Sequence, residues 1–187
     1  MDCNKLKLND DKTESILIKS DRIMLPDSAP TSIRVGNSDI PFASHARNLG
    51  ITISSNTTMD KHVTNICRSA YAELRRISSI RHLLTVNATK TLLSAFVLSK
   101  LDYCNSLLCG SPQFILDKLQ RGQNSAARLA MKSRKCDHVQ PLLRNLHWLP
   151  VRSRIDYKIS TPRFNTFTDS YSVYIAQLLH VYTPPRH

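Results

Sequence analysis

The stretch DKHVTNICRSAYAELRRIS, residues 60–78, carries an apolar residue at every third or fourth position. These residues are Val63, Ile66, Cys67, Ala70, Tyr71, Leu74 and Ile77. Such spacing is typical of an α-helix with one apolar face. Lys61, Arg68 and Arg75 recur every seven residues on the other side. The stretch therefore predicts a helix with an exposed basic stripe, whose cations follow one another at steps of about 10 Å.

A second amphipathic helix is predicted after Ser111 and Pro112, which supply an N-cap and a first-turn proline. Its apolar face consists of Leu116, Leu119, Ala126, Ala127 and Ala130. Its cations, together with those of the KSRK segment at 132–135, are Arg121, Arg128, Lys132, Arg134 and Lys135. Arg121 and Arg128 are again seven residues apart. The helix is therefore predicted to carry a second basic stripe.

Three other parts of this region bear on its helical content. Residues 85–108 predict a helix that is nearly uncharged over two turns and therefore lies at the centre of a bundle. Residues 139–146 predict a shorter helix. Thr57 and Thr58 predict the N-cap of the helix at 60–78. The periodicity fades after residue 160, where Pro162 is expected to interrupt the helix.

The residues before this helical region have the pattern of β-strands. Residues 14–20 form a short apolar run, and residues 31–43 contain two β-prone segments around Gly36, which predicts a hairpin. Residues 48–54 alternate apolar and polar side chains, as a further strand does. The predicted fold is therefore α+β and mostly α. Its expected domains are a β-rich segment at 1–56, a helical bundle at 57–160 and a poorly ordered or short-helical tail at 161–187.

The net charge of +12 belongs to the helical region. Residues 1–58 contain seven Lys or Arg and seven Asp or Glu, whereas residues 59–187 contain nineteen and seven. An imbalance of this kind favours a polyanionic partner, with a merely solvated basic surface as the alternative. The longest uncharged apolar stretch, residues 91–99, is too short to cross a membrane. We therefore expect an intracellular protein that binds nucleic acid and no membrane.

The cysteines and histidines give weaker signals. The five cysteines are widely spread, which favours free thiols in a reducing compartment over a disulfide framework. Cys104 and Cys109 lack the second ligand pair of a zinc finger, so no metal site is predicted. The seven histidines have no Ser or Cys partner at a spacing typical of catalysis. Trp148, flanked by leucines, is interpreted as a packing residue; base stacking is the alternative.

Asp10 and Asp11 pose a specific question, because adjacent carboxylates can hold the metal ions of a polymerase. A two-metal site needs a further carboxylate from a neighbouring strand, and none is evident in the sequence. A polar turn before the strand at 14–20 is the simpler interpretation, since Asn9 favours a turn.

Seven segments occur in one order along the chain and share a pattern. They are NKLKLNDDKTESILI (4–18), HARNLGITI (45–53), DKHVTNICRSAYAELRRIS (60–78), SKLDYCNSLLCG (99–110), LDKLQRGQNSAARL (116–129), LHWLPVRSRIDYKI (146–159) and LLHVYTPPR (178–186). Together they closely resemble the C-terminal part of the reverse transcriptase of LINE-type, jockey-like non-LTR retrotransposons. The resemblance covers nearly the whole chain.

The resemblance implies a role for several residues. LNDDKT is similar to the fourth motif of the palm, in which Lys12 corresponds to a candidate proton donor to the leaving pyrophosphate. Asn48, Leu49 and Gly50 correspond to the primer grip. The helices from residue 59 onward are similar to the thumb, which closes over the template–primer duplex. An RNA–DNA or RNA duplex, bound independently of sequence, is the implied partner.

The resemblance also implies what the printed sequence lacks. The family's fingers and its catalytic aspartates precede the matched segments, and Met1 falls inside the matched pattern, as in a truncated reading frame. We therefore expect no polymerase activity from this chain alone and no cofactor bound to it. Mg²⁺ is expected only for the full-length family enzyme, with the missing palm and fingers as a possible partner. A domesticated protein-interaction module and a non-functional product of a degenerate element remain alternatives.

Overall fold

The computed structural model is an α+β protein in which short strands precede helices, which confirms the predicted fold class. It describes residues 9, 12–19, 23, 26, 29–36 and 38–167. The strands are β1 (Ser15–Ile16), β2 (Ser32–Val35), β3 (Ser38–Ala43), β4 (His45–Asn48) and β5 (Ile51–Ser54). The α-helices are α1 (Asp60–Ile80), α2 (Val86–Leu93), α3 (Ser99–Asp102), α4 (Gln113–Met131), α5 (Val139–Leu146) and α6 (Val151–Phe167).

The chain forms two compact units, residues 1–68 and residues 69–187. Helix α1 begins in the first unit and ends in the second. The predicted domains 1–56, 57–160 and 161–187 stay a prediction, because compactness does not test which segments fold independently.

The first unit contains a three-stranded sheet in the order β1-β3-β2. The hairpin predicted at 31–43 is formed by β2 and β3, with Ile33 paired to Ile40. Gly36 has φ +60° at its turn, a conformation that glycine adopts without the steric cost of a Cβ. The strand predicted at 14–20 is reduced to β1, which pairs in parallel with β3 and whose Ser15 hydroxyl donates to the carbonyl of Pro41 at 2.9 Å.

A second hairpin, formed by β4 and β5, corrects the single strand predicted at 48–54. Asn48 pairs with Ile51 across the turn. The two turn residues, Leu49 and Gly50, have φ of +48° and +81°. A two-residue turn with both φ values positive matches the right-handed twist of the flanking strands. The strand predicted at 48–54 therefore begins only at Ile51. Leu49 and Gly50 form the turn that reverses the chain, and Asn48 belongs to the preceding strand, β4.

The hairpin is joined to the start of α1 by one buried histidine. The backbone N–H of Thr52 donates to Nδ1 of His62 at 3.4 Å, and the imidazole is almost completely buried. Burial disfavours the charged imidazolium, so it lowers the pKa of His62 below its ordinary value of 6.5. Burial therefore favours the neutral imidazole of His62 in the folded unit.

We expect acidification to weaken this unit through His62. Because the pKa is lower in the folded state than in the unfolded one, the contribution to stability is complete above pH 6.5 and decreases as the pH falls below it. The protection of the Thr52 amide against hydrogen exchange, corrected for intrinsic exchange, should fall between pH 7.5 and 5.5 more in the wild type than in His62→Gln. His82→Gln, at an exposed position, is the control. Equal pH dependence in wild type and His62→Gln would contradict the prediction.

The turn before α1 differs slightly from the prediction. The side-chain oxygen of Asn56 accepts hydrogen bonds from the backbone N–H and the hydroxyl of Thr58, at 3.2 and 2.8 Å. Asparagine side chains readily form such turns by accepting a hydrogen bond from the backbone two residues later. Thr57 and Thr58 thus lie in this turn, and the helix begins at Asp60.

The second unit has its core among α2, α4, α5 and α6. The predicted apolar face of α4 is confirmed, since Leu116, Leu119, Ala126, Ala127 and Ala130 are all buried. Helix α5 has the predicted bounds. Helix α4 begins one residue later than expected, with Pro112 as its N-cap.

The helix predicted at 85–108 is shorter than expected. Thr85 caps α2, its hydroxyl accepting from the N–H of Ala88 at 3.2 Å. A π-helical turn at Ser94–Leu98 joins α2 to α3. The helix then ends at Asp102, because Cys104 adopts a left-handed conformation with φ +50°, and a 3₁₀ turn follows. Periodicity alone does not reveal such an ending, since the apolar spacing continues through it.

The prediction that Pro162 interrupts the last helix was wrong. Helix α6 continues through Pro162 to Phe167. A proline removes one N–H donor and crowds the carbonyl four residues earlier. The helix is held at its other end by Val151 and Ile155, which are buried, and Thr161 donates its hydroxyl to the carbonyl of Tyr157 at 2.7 Å. The remaining residues of the predicted tail, 168–187, lie outside the described part.

The interpretation of Trp148 as a packing residue is confirmed, since only 7% of the residue is exposed. Its backbone N–H donates to the carbonyl of Leu143 at 2.9 Å. The next residue, Leu149, is fixed to α4, because its carbonyl accepts from the buried Gln123 amide at 2.8 Å. Gln120 completes the attachment by accepting from the N–H of Val151 at 2.9 Å.

Candidate nucleic-acid interface

A groove of about 900 Å³ lies between α1 and α4 within the second unit. Five cations line it: Arg75, Arg81, Arg128, Lys132 and Lys135. The remaining lining residues are apolar side chains and serines, so no carboxylate is among the residues that line the groove in the described part of the chain. The groove is therefore a concave, electropositive surface.

Helical spacing explains why these residues face one another. Tyr71, Leu74, Arg75 and Ser78 follow the i, i+3, i+4 and i+7 positions of α1, and Ser125, Arg128, Leu129 and Lys132 do the same along α4 and its end. Residues at these spacings share one side of a helix. Each helix thus presents one such row to the groove. The segment 133–135 extends the row of α4.

Three of the cations are available to a ligand. Arg75, Lys132 and Lys135 have exposed side chains. Within the described residues, no acidic side chain lies within ion-pair distance of any of them. A cation that is hydrated and unpaired in the free protein can bind a phosphate without first breaking an internal ion pair.

Arg128 occupies a more restricted position. Its Nη2 donates to the carbonyl of Asp137 at 3.3 Å. Its Nε is buried and has no hydrogen-bond partner within the described residues. Buried donors without a partner are rare in proteins, since each costs the free energy of removing it from water. Arg128 therefore lines the groove and carries one buried donor that no described residue satisfies.

Arg81 also lines the groove and holds a structural position. The residue is 6% exposed. Its guanidinium donates to the carbonyls of Leu129, Ala130 and Leu84 at 3.0, 2.8 and 2.8 Å. Two of these carbonyls belong to the last turn of α4, where helical partners are missing. Sequence analysis did not single out Arg81, and no sequence signal could have, because the contacts span 48 and 49 residues.

Glu73, the acidic residue of α1 nearest to the groove, is paired with cations that do not line the groove. Glu73 accepts from Nζ of Lys100 at 2.9 Å and from Arg76 at 3.1 Å. The hydrogen bond from Lys100, followed by that from Arg76, lowers the pKa of Glu73 below its ordinary value. Arg76 is thus paired on the helix surface, in contrast to Arg75.

The structure brings together only part of the predicted basic stripes. Arg75, Arg128, Lys132 and Lys135 meet at the groove. The other predicted residues, Lys61, Arg68, Arg121 and Arg134, are exposed but do not line it. Their predicted role in binding nucleic acid stays a prediction.

The residues predicted from the reverse-transcriptase motifs lie in the first unit. Lys12 is exposed, and its N–H donates to the carbonyl of Asn9 at 3.2 Å, which closes a turn. Asp10 and Asp11, between them in sequence, lie outside the described residues. Asn48, Leu49 and Gly50 lie at the turn of the β4–β5 hairpin, where Leu49 is 81% exposed. Their proposed contact with a primer stays a prediction.

Among the residues that the structure describes, no group of three or more His, Cys, Asp or Glu side chains is arranged to hold a metal ion. None of the helices described is long and apolar enough to span a membrane. Comparison of the chain with protein-family models, curated proteins and solved structures gave no match.

Proposed function

We propose that the chain binds nucleic acid at the groove between α1 and α4, as the primer-grip and thumb part of a LINE-type reverse transcriptase does. The observation that supports this function is the convergence of Arg75, Arg128, Lys132 and Lys135 from two helices on one surface that no carboxylate lines within the described part of the chain. Cations arranged in this way attract a polyanion and neutralise its phosphates.

The expected binding is independent of base sequence. Lysine and arginine side chains that contact phosphates fix the position of a duplex without distinguishing its bases. The proposed ligand is an RNA–DNA or RNA duplex, in agreement with the role that the resemblance implies for the helices after residue 59. Primer extension is expected only together with a polypeptide that supplies the catalytic aspartates and binds Mg²⁺.

Removing the free cations of the groove is expected to abolish most of the binding. In the triple variant Arg75→Gln/Lys132→Gln/Lys135→Gln, three phosphate contacts are lost. The slope of log affinity against log salt should therefore decrease in magnitude by about 3, from about −4 in the wild type. Fluorescence anisotropy with a labelled 20-base-pair RNA–DNA duplex, titrated at several salt concentrations, measures both affinity and slope.

A matched control separates this site from net charge. The variant Arg34→Gln/Lys90→Gln/Arg144→Gln removes the same charge from positions that do not line the groove. It should lose little affinity and keep the wild-type slope, apart from a small general effect of charge. If the two triple variants lose affinity equally, the groove is not the binding site. If the wild type binds no duplex at 50 mM salt, the proposed function is wrong.

A further inference from the structure

The groove has a different chemistry at its floor and at its rim. Leu74 is buried, and Tyr71 and Leu129 are partly buried. The cations Arg75 and Lys132 are exposed. Apolar and aromatic surface thus lies below a rim of positive charge.

The backbone of a duplex does not use such a floor. In a duplex the phosphates are outermost and the base faces are stacked inside, so its phosphate backbone contacts the rim and leaves the apolar floor in contact with water. An unpaired nucleotide has both features on one unit, since its phosphate is anionic and the faces of its base are flat and apolar. Proteins bind single strands by combining cations for the backbone with aromatic side chains on which bases stack.

Arg128 adds a requirement for a hydrogen-bond acceptor. Its buried Nε donor has no partner among the residues described, and it belongs to the wall of the groove. A base carbonyl or a phosphate oxygen that entered the groove would provide the missing acceptor. The volume of about 900 Å³ lies within the range of pockets for small organic ligands, about 300–1,000 Å³, which is sufficient for a nucleotide.

We propose that this groove binds the unpaired nucleotides of a single-stranded extension next to the duplex. The base packs against Tyr71 and Leu74, and its phosphates contact Arg75 and Lys132. The inference rests on the proposed function, because it specifies which part of the nucleic acid occupies the groove.

The test compares two RNA–DNA duplexes that differ only in a five-nucleotide extension of the RNA strand. We expect the extension to tighten binding by about tenfold, the lower part of the range for stacking of a base on an aromatic side chain. Tyr71→Leu removes the ring and keeps an apolar side chain, so it should abolish most of this gain and lower the affinity for the blunt duplex much less than that for the extended one. Tyr71→Phe should retain the gain, and melting curves should show that both variants are folded.

The outcomes distinguish this inference from the function on which it rests. Equal affinity for the two duplexes, or an equal loss for both in Tyr71→Leu, overturns the inference and leaves duplex binding intact. Absence of binding to both overturns the proposed function as well. A synthetic peptide of alternating Asp and Leu that binds the groove more tightly than the extended duplex also overturns the inference, because it assigns the groove to a protein partner.

Discussion

Replacing Arg81 with alanine is expected to lower the free energy of unfolding of the second unit by about 3 kcal/mol. The guanidinium donates to three backbone carbonyls and is almost completely buried. Truncation removes all three bonds and leaves carbonyl groups at the end of α4 with fewer partners. Hydrogen bonds from a charged donor are among the stronger ones, and loss of one partner leaves the cost of desolvating the other.

Thermal unfolding followed by circular dichroism measures this effect. For a chain of this size, about 3 kcal/mol corresponds to a decrease in Tm of about 6–12 °C. Arg76→Ala is the matched control, because its side chain is 76% exposed and bonds only to Glu73 among the described residues; its effect should be within about 0.5 kcal/mol. A Tm of Arg81→Ala within 1 °C of the wild type would show that Arg81 does not hold the end of α4.

The Arg81 contacts also explain how two helices can line a groove. Arg81 follows directly after α1, and its guanidinium binds the final carbonyls of α4. The bonds from Arg81 thus join the end of α1 to the last turn of α4, within the part of α4 that lines the groove, and hold the two lining helices together. Arg81→Ala should therefore weaken binding of nucleic acid as well as stability, because it loosens the connection between the two helices that line the groove.

The features that sequence analysis predicted correctly are local ones. The apolar face of α1 includes the buried Val63, Ala70 and Leu74, and the 31–43 hairpin and α5 have nearly the predicted bounds. Each depends on periodicity or turn chemistry within a few residues, which a single sequence displays directly.

The features that it missed depend on backbone conformation or on contacts between distant residues. Leu49 and Gly50 form a turn because both adopt positive φ, although Leu49 continues the apolar alternation of a strand. Helix α6 continues through Pro162 while Val151 and Ile155 are buried at its start. Helix propensity does not include such tertiary packing. His62 and Arg81 are polar residues whose burial is set by partners in other elements.

The candidate site was predictable only in part, because helical spacing is local and the packing of two helices is not. Heptad spacing placed Arg75 on one helix and Arg128 on another, but only the packing of the second unit brings them to one groove. Lys61 and Arg68 have the same spacing as Arg75 and do not line it. Spacing thus predicts which cations share a helix face, whereas the convergence of two faces requires tertiary structure.

Trp148→Ala is expected to destabilise the second unit by about 3–5 kcal/mol, the usual cost of truncating a buried aromatic side chain. The residue is 7% exposed and lies between the α5 end and the loop that Gln123 and Gln120 attach to α4. Trp148→Phe retains most of the ring and should cost less than half as much. Chemical denaturation followed by circular dichroism gives both values.

The variant Trp148→Phe also separates packing from base stacking, the two roles that the sequence left open for Trp148. Because the indole is buried and does not line the groove, Trp148→Phe, measured well below its Tm, should bind the RNA–DNA duplex and its single-stranded extension with wild-type affinity. A Trp148→Phe protein that keeps its stability but loses tenfold or more in affinity would assign the tryptophan to the nucleic acid. Loss of stability at unchanged affinity assigns it to the core, where it positions the α5–α6 connection.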